Sequence, residues 1–288
     1  MRHLVLGGTG TVGSLVVSGL IEKGEKVKVL TRSADKAKSL PTGAEPVVGD
    51  LTAPETYGGI FRDYDTLFLL TANGPTDLLE GLAAIAEARR TKARRVVHMS
   101  IQDVEKGLDA PHFASKIAME AALKQSGLEW TILRPNNFHQ NDWWWKDAIV
   151  QHGVYPQPLG SVGVSRVDTR DIGEAAVRAL TEPGHAGRTY TVAGPDALTG
   201  EDCAKAFAEA LGRKVVYGGD DLDAWSKAMA PYLPAWAVFD YRLMYDMFQK
   251  KGLKATPAQL DETRTIVGHA PRRFDDFAKE FAAAVGRR

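Results

Sequence analysis

The sequence holds a single cysteine, Cys203, in 288 residues. That count excludes an intramolecular disulfide and any thiolate cluster for zinc, and Cys203 reads as a small buried helix residue. Net charge is also missing: 36 Lys+Arg stand against 36 Asp+Glu, so no long-range field draws the chain to nucleic acid or to anionic membrane surfaces. No apolar run reaches the roughly 18 residues that a membrane span requires. Met1 leads straight into an apolar strand pattern without a charged region and cleavage site, so no signal peptide is expected and the protein is read as soluble and cytoplasmic. Repeats, low-complexity tracts and long Pro/Ser linkers are absent. His152, His185 and His269 stand apart from one another and from Cys203, so no metal-ligand spacing emerges and no metal is expected.

With 44% hydrophobic residues, the chain buries a large core. Short β-rich runs alternate with helical patterns through its first half: His3–Leu6, Val27–Leu30, Pro46–Val48, Thr66–Leu70, Arg95–Met99 and Trp130–Leu133. The intervening helices are expected at Val12–Lys23 and Leu78–Arg90. This alternation predicts an α/β fold, a Rossmann-type doubly wound parallel sheet covered on both faces. Val164–Asp168 and Arg188–Val192 read as later strands. From Thr199, a plausible N-cap with Asp202 three residues on, helices dominate at Glu201–Leu211, Asp223–Met229, Ala235–Lys250 and Phe274–Val285. Residues 1–182 are therefore assigned to a nucleotide-binding domain, with 135–161 lining a cleft, and 183–288 to a smaller, mostly helical region.

The first strand delivers into Gly7-Gly8-Thr9-Gly10-Thr11-Val12-Gly13. Gly7, Gly10 and Gly13 allow a sharp turn, close backbone approach to a pyrophosphate and tight helix–strand packing. The amides of the first helical turn, through Thr11 and Val12, face the phosphates. A glycine motif alone is weak, but this one lies between a strand and a helix at the start of a βαβ unit. The second strand ends in Leu30-Thr31-Arg32-Ser33, without the acid that would hold the ribose hydroxyls of NAD. Arg32 instead suits a 2′-phosphate, with Lys36 a second charge one turn later, so NADP(H) is favoured over NAD(H). Gly49-Asp50-Leu51 falls where the adenine rests. Asp50 either accepts from its amine or caps the following helix.

With these residues in place, the chain resembles the NmrA-like atypical short-chain dehydrogenases/reductases, a group that includes NAD(P)H-dependent quinone reductases and triphenylmethane-dye reductases. The likeness covers nearly the whole length and rests on Gly7–Gly13, Thr31-Arg32, Val48-Gly49-Asp50, His112–Lys116 with Glu120, Thr131–Phe138, Val167–Ile172 and Pro271–Phe277. It implies that Lys116 approaches the nicotinamide ribose, that Leu70-Thr71-Ala72 passes beneath the cofactor, and that Asn136, Asn137 and Phe138 line the nicotinamide end. Short-chain dehydrogenases carry a catalytic Tyr four residues before the Lys and a helper Ser earlier. Ser100 and Lys116 match those places, but the Tyr position holds His112, which is chemically able to act as the acid.

Past Phe138 comes His139-Gln140-Asn141-Asp142-Trp143-Trp144-Trp145. Successive helix positions point about 100° apart, so the three tryptophans cannot share one core. At least one faces a cavity, a mobile lid or a partner, or else the three serve interdomain packing with a dimer contact. His139, Trp143, Trp144 and Tyr155 are taken as the substrate wall, joined by Trp236, Phe239 and Tyr241. Asp168 and Asp171 with Arg170 read as caps of the next helix. The expected activity is an NADPH-dependent reductase that passes hydride to an apolar aromatic or quinone-like small molecule. A non-catalytic NADP(H) sensor acting through a protein partner is the alternative, and an isomerase or epimerase a third.

Overall fold

Parallel strands cannot be joined by tight turns, and this chain places a crossover between each successive pair. The computed structural model describes residues 1–286. The chain runs β1 (Arg2–Val5), α1 (Thr11–Glu22), β2 (Lys26–Thr31), α2 (Ala34–Lys38), β3 (Ala44–Val48), α3 (Tyr57–Ile60), β4 (Thr66–Leu69), α4 (Asp77–Arg90), β5 (Arg95–Met99), α5 (Pro111–Lys124) and β6 (Glu129–Pro135). It continues through α6 (Lys146–His152), β7 (Val154–Tyr155), α7 (Thr169–Thr181), β8 (Arg188–Val192), α8 (Gly200–Leu211), β9 (Val216–Tyr217), α9 (Leu222–Met229), α10 (Ala235–Lys251), α11 (Pro257–Val267) and α12 (Phe274–Gly286). No helix among the described residues is long and apolar enough to cross a membrane.

The chain forms two compact units. The first comprises Met1–Ile101, Ala114–Arg134 and Thr169–Tyr190, and the second Gln102–Phe113, Pro135–Asp168 and the chain from Thr191 onward. One boundary after residue 182 was the expectation. The chain instead passes between the units after residues 101, 113, 134, 168 and 190, because the segments that follow β5 and β6 pack into the second unit.

In the first unit the expected Rossmann-type sheet forms, in the order β3-β2-β1-β4-β5-β6-β8. The pairings from β3 through β6 are all parallel. Strand order reverses between β1 and β4, which is where open α/β sheets place their ligands. Side chains alternate between the faces. Leu4, Leu67, Leu69 and Val96 join Ala84 and Ile85 of α4 and Met119 and Leu123 of α5 in one core. On the other face α1 and α7 pack through their glycines: a Cβ on Gly19 would come within 2.9 Å of Val177, and one on Gly173 within 2.8 Å of Leu15. A helical glycine costs roughly 0.5–1 kcal/mol. Each buried Leu, Ile or Val contributes about 1.5–3 kcal/mol, so close packing prevails.

The second unit has a polar centre. Arg166, fully buried, donates from Nη1 to Asp142 Oδ2 (2.8 Å), from Nη2 to Asp142 Oδ1 (2.8 Å) and to the Phe138 carbonyl (2.7 Å), and from Nε to Asn137 Oδ1 (2.9 Å). A buried ion pair survives where hydrogen bonds satisfy its remaining positions. Here the Arg166 Nη1 also donates to the Tyr155 hydroxyl (2.9 Å), and Gln157 donates to Asp142. Around it Phe207 packs edge-on to Phe274 and Phe281 and stacks with Tyr155. Val164–Asp168 forms no strand of its own, because Phe138, Leu198 and Leu253 bridge this segment only at single positions. Helix α11 was not anticipated, although Thr256 and Gln259 form a capping box around Pro257 at its first turn.

Cys203 is fully buried beside Arg166 Nη1 (3.6 Å), and burial pushes its thiol up to about 12. At pH 8 the thiolate fraction is then about one in ten thousand. Labelling of the native protein by a thiol-reactive disulfide should proceed only as fast as the second unit opens, and become immediate in denaturant. Immediate labelling of the folded chain would contradict this packing.

Candidate functional site

The site begins where β1 ends. Gly7 has φ 71°, in the left-handed region open to glycine, and a Cβ there would come within 2.9 Å of the Leu70 carbonyl and Cγ. A Cβ on Gly13 would overlap the Gly7 carbonyl oxygen. Helix α1 therefore starts hard against the loop. Its N-cap, Gly10, supplies no side-chain acceptor, and the first turn holds no acidic residue. Ser14 N–H reaches back to the Gly10 carbonyl (2.9 Å), but the amides of Thr11, Val12 and Gly13 precede the first carbonyl of the helix ladder. Thr9, Gly10 and Thr11 are exposed. Amides of this kind at a positive helix end fit an anion such as a dinucleotide pyrophosphate.

At the end of β2, Arg32 is exposed and Ser33 caps α2 by accepting the Lys36 N–H (3.4 Å), leaving the Lys36 side chain in solvent. Past β3, Gly49 is buried, and a Cβ there would come within 2.7 Å of Ile60. Leu51 is buried, and its carbonyl accepts from the Tyr57 hydroxyl (2.6 Å). Asp50 accepts the Thr52 N–H (2.8 Å) and hydroxyl (2.7 Å). These bonds, the backbone one first, hold its carboxyl below the usual range, and the Arg32 charge adds to the effect. Asp50 thus closes a local turn with Thr52 and does not cap the helical turn at Pro54–Thr56, whose N-cap, Ala53, has no side-chain bond.

Leu70, Thr71 and Ala72 follow β4, and Thr71 opens a buried cluster. Lys116 on α5 donates from Nζ to both Asp77 oxygens (2.8 and 2.9 Å) and to Thr71 Oγ1 (3.2 Å). Ser115 donates to Asp77 Oδ2 (2.6 Å), and Thr71 donates to Asp77 Oδ1. Burial pushes the Asp77 carboxyl up, but the Lys116 charge and these donors outweigh it, so it lies below its ordinary value. Ser100 donates to Glu120 Oε1 (2.6 Å), and Arg134 grips the same carboxylate (2.9 and 2.8 Å). Against the effect of burial, Arg134 and Ser100 bring Glu120 down to about 2. The hydroxyl expected to assist a proton transfer is thus spent on a structural carboxylate.

His112 belongs to the second unit. Its Nδ1 lies 2.8 Å from Asp240 Oδ1, which also accepts its backbone N–H (3.3 Å), so Asp240 fixes the ring and caps the start of α5. Asn136 is buried and donates to Gln102 Oε1 and the Leu253 carbonyl, each at 2.7 Å. Asn137 holds Arg166, and Phe138 is half-buried. Two expected wall residues are corrected. Tyr155 is fully buried in the Arg166–Asp142 centre, and His139 is fully buried with Nε2 donating to the Arg166 carbonyl (3.0 Å). Both were drawn inward by a buried arginine that no local pattern announces. Trp144 is 78% exposed, whereas Trp143, 39% exposed, packs on Phe281. Sequence reasoning missed Asp77 and Asp240, whose partners lie 39 and 128 residues away.

A model of the NAD(P)H-binding family matches residues 7–183. An NAD(P)H azoreductase of Xenophilus azovorans is 35% identical over 286 residues, which cover 98% of this chain and 99% of that one. A (4-alkanoyl-5-oxo-2,5-dihydrofuran-3-yl)methyl phosphate reductase of Streptomyces griseus is 34% identical over 284 residues, with 98% of each chain covered. An NADPH-dependent quinone oxidoreductase of Escherichia coli, solved with NADPH, superposes with a TM-score of 0.87 at 20% identity, over 96% of this chain and 99% of that one. At that identity the superposition carries the fold.

His98 on β5, fully buried, donates from Nδ1 to the Leu69 carbonyl (3.2 Å), while its Nε2 has no hydrogen-bond partner among the described residues. Burial, with the Lys116 charge adding to it, lowers it from 6.5 to about 4. The unfolded chain therefore takes up this proton first as pH falls. The contribution of neutral His98 is full above pH 6.5, is lost between 6.5 and about 4, and the loss levels off below. Urea unfolding at pH 7 and pH 4.5 should show a drop of which about 2–3 kcal/mol disappears in His98→Asn. Part of the slope persists, since His3 and His185 are also lowered by burial. An identical slope in the variant would contradict the assignment.

Proposed function

Since the chain belongs to the NAD(P)H-binding family, within the NmrA-like atypical short-chain dehydrogenases/reductases, we propose that it is an NADPH-dependent reductase acting on apolar aromatic acceptors such as quinones or azo compounds. The observation that carries this reading is the uncapped first turn of α1 behind Gly7 and Gly13, with exposed Arg32 at the end of β2. Two reductases of matching length at 35% and 34% identity support it.

The phosphate loop holds the diphosphate with backbone amides, which carry no sequence preference between NAD and NADP. The choice falls to Arg32, whose guanidinium donates to a 2′-phosphate in a way that a ribose hydroxyl cannot match. When bound, NADPH supplies the hydride, two electrons and one hydrogen. The chain's own task is to bind, orient and limit water around the acceptor.

The partners at the three short-chain positions support this acceptor class. Ser100 is held by Glu120, Lys116 by Asp77, and the tyrosine position is His112, held by Asp240. A simple ketone needs a strong proton donor as its alkoxide forms. A quinone or azo nitrogen delocalises the arriving electrons, and its one proton can come from water or from His112. Exposed aromatic surface at Trp144, Trp143, Trp236 and Phe239 in the second unit supports an aromatic partner molecule. The same occupied serine and lysine also favour a second reading, a cofactor sensor that turns over nothing.

Following absorbance near 340 nm with NADPH and a panel of quinones, azo dyes and simple ketones separates these readings. Consumption is expected with the aromatic acceptors and not with the ketones. Tight NADPH binding without consumption by any acceptor would leave only the sensor. Arg32→Ala should weaken NADPH binding about 10- to 100-fold while leaving NADH within about twofold. An equal loss for both cofactors would remove Arg32 from the choice between them.

A further inference from the structure

The Lys116–Asp77 pair is buried, and Asp77 has no place in the cofactor reading so far. Its position follows from topology. The sheet order reverses between β1 and β4, and the phosphate loop stands over that reversal. Arg32, at the end of β2, marks the adenosine side. The nicotinamide half then falls on the opposite side, over the ends of β4 and β5. Thr71 lies two residues past β4, and Leu70 before it packs against Gly7. Thr71, Asp77, Ser115 and Lys116 are therefore joined to the loop on that half, within the first unit.

We propose that Asp77 is a charge-compensating residue: by neutralising Lys116 beside the nicotinamide half of the site, it lets the oxidised and reduced cofactors bind with comparable strength and favours the departure of hydride. This rests on the cofactor reading above. The oxidised nicotinamide ring carries a positive charge that the reduced ring lacks, and that charge builds up as hydride leaves. A lone buried ammonium nearby would oppose it in a site of low polarity. Lys116 with both Asp77 oxygens on its Nζ presents no net charge. His98, uncharged near neutral pH, adds none on that side. Three separate donors on one carboxylate, from Thr71, Ser115 and Lys116, keep Asp77 ionised and fixed in place.

The test is the ratio of dissociation constants, Kd(NADP⁺)/Kd(NADPH), measured on the full chain by NADPH fluorescence and NADP⁺ competition. The comparison takes wild type, Asp77→Asn, Lys116→Met and the double variant, each checked by circular dichroism. Asp77→Asn should raise the ratio on the order of tenfold, Lys116→Met should lower it, and the double variant should return to within about twofold of wild type. A structural role alone gives no such opposite signs. Unchanged ratios in both single variants, with binding retained, overturn the inference and leave the cofactor reading standing. Failure of wild type to bind either form overturns that reading and the inference with it. Should Asp77→Asn not fold, Lys116→Met and the double variant, which leaves no buried charge behind, carry the comparison. Equal ratios in those two overturn the inference.

Discussion

One steric fact organises the first unit. The carbonyl of Gly7 occupies the space where a side chain at residue 13 would begin, so α1 can start only where Gly13 allows it. That close approach fixes the end of β1 against the helix and leaves the leading amides without intrahelical partners. Because Gly10 has no side chain to cap them, their hydrogen-bonding capacity is kept for a ligand. The Leu70 carbonyl, 2.9 Å from where a Cβ on Gly7 would lie, ties the loop after β4 to the same point. Anion recognition and the placement of Thr71 thus share one cause.

At the three positions singled out by the resemblance, Ser100, His112 and Lys116, every polar side chain has a partner. The partners differ: a carboxylate gripped by Arg134 for Ser100, Asp240 for His112, and Asp77 for Lys116. Leaving any of these groups unpaired in a dry interior would cost about 1–3 kcal/mol or more, so the pairings stabilise the fold.

Much of the first unit was legible in the sequence, because its signals are local. Apolar runs at Val27–Leu30 and Arg95–Met99 became β2 and β5, and the glycines from 7 to 13 sit at a strand–helix turn as their spacing requires. The second unit was less legible for a physical reason. Tyr155 and His139 look like cleft aromatics until Arg166 is known to be buried among them, and no short window shows that Arg166 meets Asp142 there. Val164–Asp168 has a strand's composition, yet it is bridged singly by three distant segments. Asp77 reads locally as a helix-start residue, and only the fold brings Lys116 to it. The capping box at Thr256–Gln259 was a local signal that went unread.

The central claim is that backbone amides exposed by glycine packing hold a dinucleotide. Isothermal titration calorimetry of the full chain with NADPH, for wild type and Gly13→Val, tests it most directly. The account predicts saturable heat at one site per chain for wild type, and none for a variant that keeps its circular dichroism but has α1 displaced from the loop. Undiminished binding by a well-folded Gly13→Val protein would contradict it.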